Sequence, residues 1–159
     1  LAHQHVLGDV AEVMENTAID GVYGDLDYVS AKDPGQILRR WRSGPYDPQN
    51  LYWGWSPPHP TLYLRRTVYE TYGLFDTSYR ISGDYEATLR FLAKGDLRLA
   101  YLPDVMVKMR VGGTSNRSLQ NVLRKSVEDL RAIRSSGVGG IGTLLAKNGR
   151  KIPQFFAQL

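Results

Sequence analysis

The chain reads as an α/β protein, a mixed sheet flanked by helices, and three observations predict this. Val22 to Val29 alternate along a run rich in Val and Tyr, the pattern of a strand. Leu119, Val122, Leu123, Val127, Leu130 and Ile133 recur at three- and four-residue steps, which predicts a long amphipathic helix near the C-terminus. Between them, short strand patterns and helical patterns alternate, with Gly or Pro at the junctions.

In chain order, LAHQHVLGDVAEVMEN predicts a helix already under way at Leu1 and ending near Asn16, the mark of a truncated N-terminus. IDGVYGDLDYVS is the strand, and QILRRW extends or pairs with it after a turn at Asp33-Pro34-Gly35. The connection from Arg42 to Pro60 holds five prolines together with Tyr46, Tyr52, Trp53 and Trp55, a composition that argues for function rather than disorder. TLYLRR predicts a short strand, and RTVYETYGLFD a two-turn helix stopped by Gly73. A second helix starts at Ser82 or Gly83, with Tyr85, Leu89 and Leu92 along its buried stripe. RLAYLP and DVMVKMRV predict two strands parted by Pro103, which lacks the N–H a central ladder needs.

Composition narrows the function. A chain of 159 residues, 42% hydrophobic, can bury the core of one domain. With no cysteine there is neither a disulfide framework nor a thiolate metal site, in keeping with a cytoplasmic location. No apolar run approaches the roughly 20 residues of a membrane span. Residues 117–159 carry eight Lys or Arg against two acids, and residues 1–116 carry twelve against fourteen. A basic extension of this kind suits an anionic neighbour, either a phosphate-bearing ligand or the inner face of a membrane. The basic and aromatic residues fall in separate segments, so the interleaving that a nucleic-acid groove needs is missing.

Asp84 is the foremost chemical candidate. It sits with Glu86 in the first turn of its helix, where the dipole favours negative charge. Trp53 and Trp55 either stack on the apolar face of a ligand or cover a sheet edge. His59, boxed by Pro58 and Pro60, is a ligand contact or a structural residue. Lys108 and Arg110 share one strand face ahead of Gly112-Gly113, a placement that either aims cations at an anionic ligand beneath a closing lid or leaves them as surface charge.

The succession YGDLDYV, PPHPTLYLRRTVYETYGLFD, ISGDYEATLRFL, YLPDVMVKMRVGGTSN and KIPQFF resembles the C-terminal portion of bacterial family-2 glycosyltransferases of the GT-A, Rossmann-like fold. The resemblance covers nearly the whole chain. It implies an inverting transferase moving a sugar from a nucleotide-sugar donor to a saccharide or lipid-linked acceptor in cell-envelope polysaccharide synthesis. Residues 1–116 match the acceptor-side part of the catalytic domain, and 117–159 a helical extension with a short tail. Asp84 matches the base that deprotonates the acceptor hydroxyl, and a divalent metal, Mg or Mn, is expected to neutralise the departing diphosphate. The family's metal-holding Asp-x-Asp precedes the part matched here. Asp25 and Asp27 have its spacing but follow its place in the family order, so the resemblance puts the main metal ligands outside this chain. The alternative is a noncatalytic remnant, or a half that works only with a partner. Helix 118–134 with Lys147, Arg150, Lys151, Phe155 and Phe156 is expected to touch anionic membrane peripherally.

Overall fold

The computed structural model describes residues 1–111 and 119–156, the side chains of Leu119, Phe155 and Phe156 excepted. At its centre lies β1 (Gly21–Val29), buried on both faces apart from a half-exposed Tyr28. Such a strand has little space for bulk, and a Cβ placed on Gly24 would stand 2.4 Å from the Met106 sulfur.

β4 (Leu99–Arg110) runs parallel to β1 along one edge. The other edge is shared, with β3 (Tyr63–Leu64) antiparallel to Gly21 and Val22, and β2 (Ile37–Trp41) antiparallel to Leu26 through Val29. The sheet is therefore mixed and open, with four strands among the described residues.

Two strand boundaries differ from expectation. β4 runs through Pro103 without a break, because it pairs with β1 alone and the missing N–H disrupts no second ladder. Its register instead jumps from Leu102 opposite Gly24 to Val105 opposite Asp25, extruding Pro103 and Asp104 as a bulge. The TLYLRR strand shrinks to two residues. Thr61 closes a 3-10 turn, His59–Thr61, and the Arg65 guanidinium turns away to donate to the carbonyls of Met14, Asn16 and Ile19.

The aromatic connection is well structured. Pro48–Trp53 forms a 3-10 turn whose start is capped by the Asp47 carboxylate, accepting from the Gln49 N–H. Gly54 ends it with φ of 73°, a conformation that favours glycine. Trp55 then turns inward, donating its indole N–H to the Ser43 carbonyl at 2.9 Å, with the rings of Tyr23 and Tyr46 each 5.8 Å away.

Helices cover the sheet. α1 (Val6–Glu15) lays Val6 and Val10 in a cluster with Val22 and Met106. α2 (Arg66–Tyr72) ends at Gly73, and α3 (Gly83–Lys94) buries Tyr85, Leu89 and Leu92 in the main core with Tyr23 and Trp55. Fully burying a side chain such as Leu89 contributes about 2 kcal/mol. α4 (Leu119–Ser135) and α5 (Ile141–Gly149) follow, then the single-turn α6 (Pro153–Phe156).

Among the described side chains α4 buries only one end of its predicted apolar stripe, at Ile133. Ala132, Ile133 and Asp129 are buried, whereas Leu123 and Val127 are each 68% exposed. The helix is turned so that Glu128 and Asp129 reach the start of α3, and a buried carboxylate with several donors outweighs two exposed aliphatic side chains.

Candidate functional site

The start of α3 is held from outside the helix. Ser82 occupies the N-cap position without making a cap hydrogen bond, and its hydroxyl donates instead to Asp129 Oδ1 at 2.7 Å. Glu128 accepts from the backbone N–H groups of Arg80, Ile81 and Ser82. Burial alone would raise the Glu128 pKa, but these donors together with Arg124 bring it below the ordinary value. Two neighbouring acids of α4 thus fix the turn that presents Asp84.

Asp84 itself is exposed, and its carboxylate accepts the N–H of Tyr85 at 2.8 Å. Glu86 is its opposite. It is buried and ion-paired to Arg90 at 2.8 Å, and Arg90 also donates to the carbonyls of Tyr72, Gly73 and Leu74. Glu86 therefore anchors the turn after α2, and only Asp84 is placed to meet a ligand.

Asp25 and Asp27 are almost completely buried, at 4% and 3% exposure. Arg42 bridges them, 2.8 Å from Asp27 Oδ1 and 3.5 Å from Asp25 Oδ2. Asp25 also accepts from the Ser43 N–H and the Tyr101 hydroxyl. With those oxygens committed to protein donors, the pair does not fit a hard divalent cation, which needs several open oxygen ligands. His3, Asp9 and Asp104 do bring ligand atoms within 4.8 Å of one another, beside the bulge of β4. The 2.9 Å ion pair of His3 with Asp104 already accounts for most of that closeness.

The second half of the site lies between β2 and the C-terminal helices. Asp129 is buried and takes two ammonium groups, those of Lys125 and Lys147, each at 2.7 Å. Lys147 also stands over the Tyr85 ring, 3.1 Å from its centroid. Burial pulls the Lys147 pKa down to about 7, with Asp129 opposing and Lys125 reinforcing the fall. On Asp129 burial acts upward, yet the two lysines prevail and hold it below the usual range. α5 can come this close because residue 54 is glycine: a Cβ there would lie 2.4 Å from the Lys147 backbone nitrogen.

These elements enclose a cavity of about 310 Å³. β2 contributes Arg39 and Trp41, the aromatic connection contributes Arg42 and Trp55, and the C-terminal segment contributes Lys147, Arg150 and Lys151. Arg39 lies 4.0 Å over the Tyr28 ring. Arg150 donates to the Trp53 carbonyl at 3.0 Å, and Lys151 to the Asn148 side-chain oxygen at 3.0 Å.

The remaining predicted residues are dispersed. Trp53 is exposed on its turn; Trp55 belongs to the core and shows the cavity only part of its surface. His59 packs edge-on against Phe75 at 5.9 Å, with a buried Nδ1 that has no hydrogen-bond partner among the described residues. Lys108 and Arg110 are exposed at the far end of β4, opposite Asp27 and Val29. Gly112, Gly113 and the side chains of Phe155 and Phe156 lie outside the described residues. Lys147 is buried against Asp129, so it is removed from any membrane-facing surface. Among the described residues no helix is long and apolar enough to cross a membrane.

Sequence reasoning missed Glu128, Asp129 and Arg42 as organisers. The four-residue spacing of Lys125 and Asp129 was a signal for one ion pair, but nothing local ties Lys147 to it. No family model, curated protein or solved structure matches this chain.

Proposed function

We propose that this chain is the acceptor-side part of an inverting sugar transferase of the GT-A fold, using a nucleotide-sugar donor. The contrast between the two acids of one helical turn carries the reading. Glu86 is buried and neutralised by Arg90, while Asp84 is exposed on a helix start locked by Glu128 and Asp129. In the reaction the acceptor oxygen attacks the anomeric carbon and its proton passes to Asp84. The C–O bond to the nucleoside diphosphate breaks, and the diphosphate leaves with the electron pair. The order of motifs resembling family-2 glycosyltransferases supports the same assignment. A lipid-linked acceptor suits the exposed side of α4, where Leu123 and Val127 lie among Arg124, Arg131 and Arg134.

Sugar transfer to saccharide acceptors, measured with a panel of nucleotide-sugars, tests this. Asp84→Asn should cut turnover roughly 100- to 10,000-fold with folding stability changed by no more than about 1 kcal/mol. Glu86→Gln should retain turnover per folded molecule while losing about 2 kcal/mol of stability, because it weakens a charge-assisted contact to Arg90. Full activity in Asp84→Asn would remove it as the base. A wild-type chain that turns over no donor would favour the noncatalytic or partner-dependent alternative.

A further inference from the structure

The cavity between β2 and α5–α6 is lined by more cations than acids among the described residues. Asp25 and Asp27 are answered by Arg42, and Asp129 by Lys125 and Lys147. Arg150 and Lys151 hydrogen-bond to neutral oxygens among the described residues, the Trp53 carbonyl and the Asn148 side-chain oxygen. Five cations, those of Arg39, Arg42, Lys147, Arg150 and Lys151, therefore line the cavity, and no acid does among the described residues. Burial, reinforced by Lys125 and Arg39 and opposed by Asp129, lowers the Lys151 pKa. A second observation points into the same space, since the buried side-chain oxygen of Gln154, another lining residue, has no hydrogen-bond partner among the described residues.

We infer that this cavity is a binding site for a multiply charged phosphate group, held by Arg39, Lys147, Arg150 and Lys151. Arg150 supplies a planar set of donors that matches phosphate oxygens, and the lysines add compact charge. Gln154 accepts from a protonated phosphate oxygen or a hydroxyl of the attached group, and the half-exposed Trp41 offers that group an apolar surface. A volume of about 310 Å³ lies at the lower end of the roughly 300–1,000 Å³ typical of small-ligand pockets. The site is separate from Lys108 and Arg110, which stand at the end of β4, and it does not rest on the sugar-transfer reading.

The same chemistry is offered by a free phosphate ester and by a lipid headgroup, and the test separates them. Pyrophosphate is titrated calorimetrically into the wild-type chain, into Arg150→Ala/Lys151→Ala and into Lys108→Ala/Arg110→Ala, with circular dichroism verifying each fold. Pyrophosphate binding that weakens at least roughly tenfold in the first variant and holds in the second is the expected result. Co-sedimentation with phosphatidic acid vesicles, competed by pyrophosphate and absent with phosphatidylcholine vesicles, would assign the phosphate to a lipid headgroup. Pyrophosphate binding without vesicle retention would assign it to a free ester. The inference is overturned if pyrophosphate at millimolar concentration neither binds nor competes, or if the Lys108/Arg110 variant is the one that loses binding. None of these outcomes depends on Asp84, so sugar transfer can fail while the phosphate site stands, or the reverse.

Discussion

Two ion clusters reach the same cavity through one base each, Arg42 and Lys147, and have opposite imbalances. On the sheet side Asp25 and Asp27 share one base, Arg42. On the helical side Lys125 and Lys147 share one acid, Asp129. The sheet cluster is completed by neutral donors, the Ser43 N–H and the Tyr101 hydroxyl, so its excess negative charge is absorbed within the fold. The helical cluster has the Ser82 hydroxyl on its acid and the face of the Tyr85 ring under Lys147, but among the described residues no second carboxylate for its bases. Buried carboxylates find donors readily because every backbone N–H is one. A buried ammonium group needs acceptors, and when another cation competes for the single carboxylate it releases its proton or takes an anion.

Removing the single base should hurt most. Arg42→Met leaves two buried carboxylates facing each other without a cation, and urea unfolding should show a loss of about 3 kcal/mol. A loss below about 1 kcal/mol would mean that the Ser43 and Tyr101 donors suffice and that the sheet cluster does not depend on its charge pair.

A smaller change probes those neutral donors directly. Tyr101→Phe removes one hydrogen bond to Asp25 while keeping the ring that packs 5.4 Å from Tyr23, so the cost should be about 1.5 kcal/mol. If Arg42→Met and Tyr101→Phe are also combined, their effects should fall short of additivity, since both act on Asp25.

The smallest effect is expected on the crowded side. Lys147→Met leaves Asp129 paired with Lys125, and stability near pH 7 should move by less than about 1 kcal/mol. Its pH dependence should change more. In the folded chain Lys147 titrates at about 7, below its value of 10.5 in the unfolded chain. Between those values the unfolded chain binds a proton that the folded chain does not, so wild-type stability should rise as pH increases from 7 toward 10. Lys147→Met should flatten that rise in urea unfolding followed across this range. An unchanged slope would show that Lys147 stays charged beside Asp129 and that the crowding is weaker than its geometry suggests.

Local pattern determined much of this protein. The alternation of Val22 to Val29 made β1, the stripe of Tyr85, Leu89 and Leu92 made the buried side of α3, and Gly73 stopped α2. Each depends on neighbours within a turn or a strand, where sequence spacing and spatial spacing are the same. Asp84 was legible for that reason, as an acid in a first helical turn. Tertiary structure decided the rest, because those outcomes depend on partners far apart in the chain. Pro103 stays in β4 because that strand lies at an edge, and Leu123 faces outward because Glu128 and Asp129 are drawn to Ser82. The cavity is the clearest case. Arg39 and Arg42 lie more than a hundred residues before Lys147 and Arg150, and only the docking of α5 against Gly54 brings their charges together.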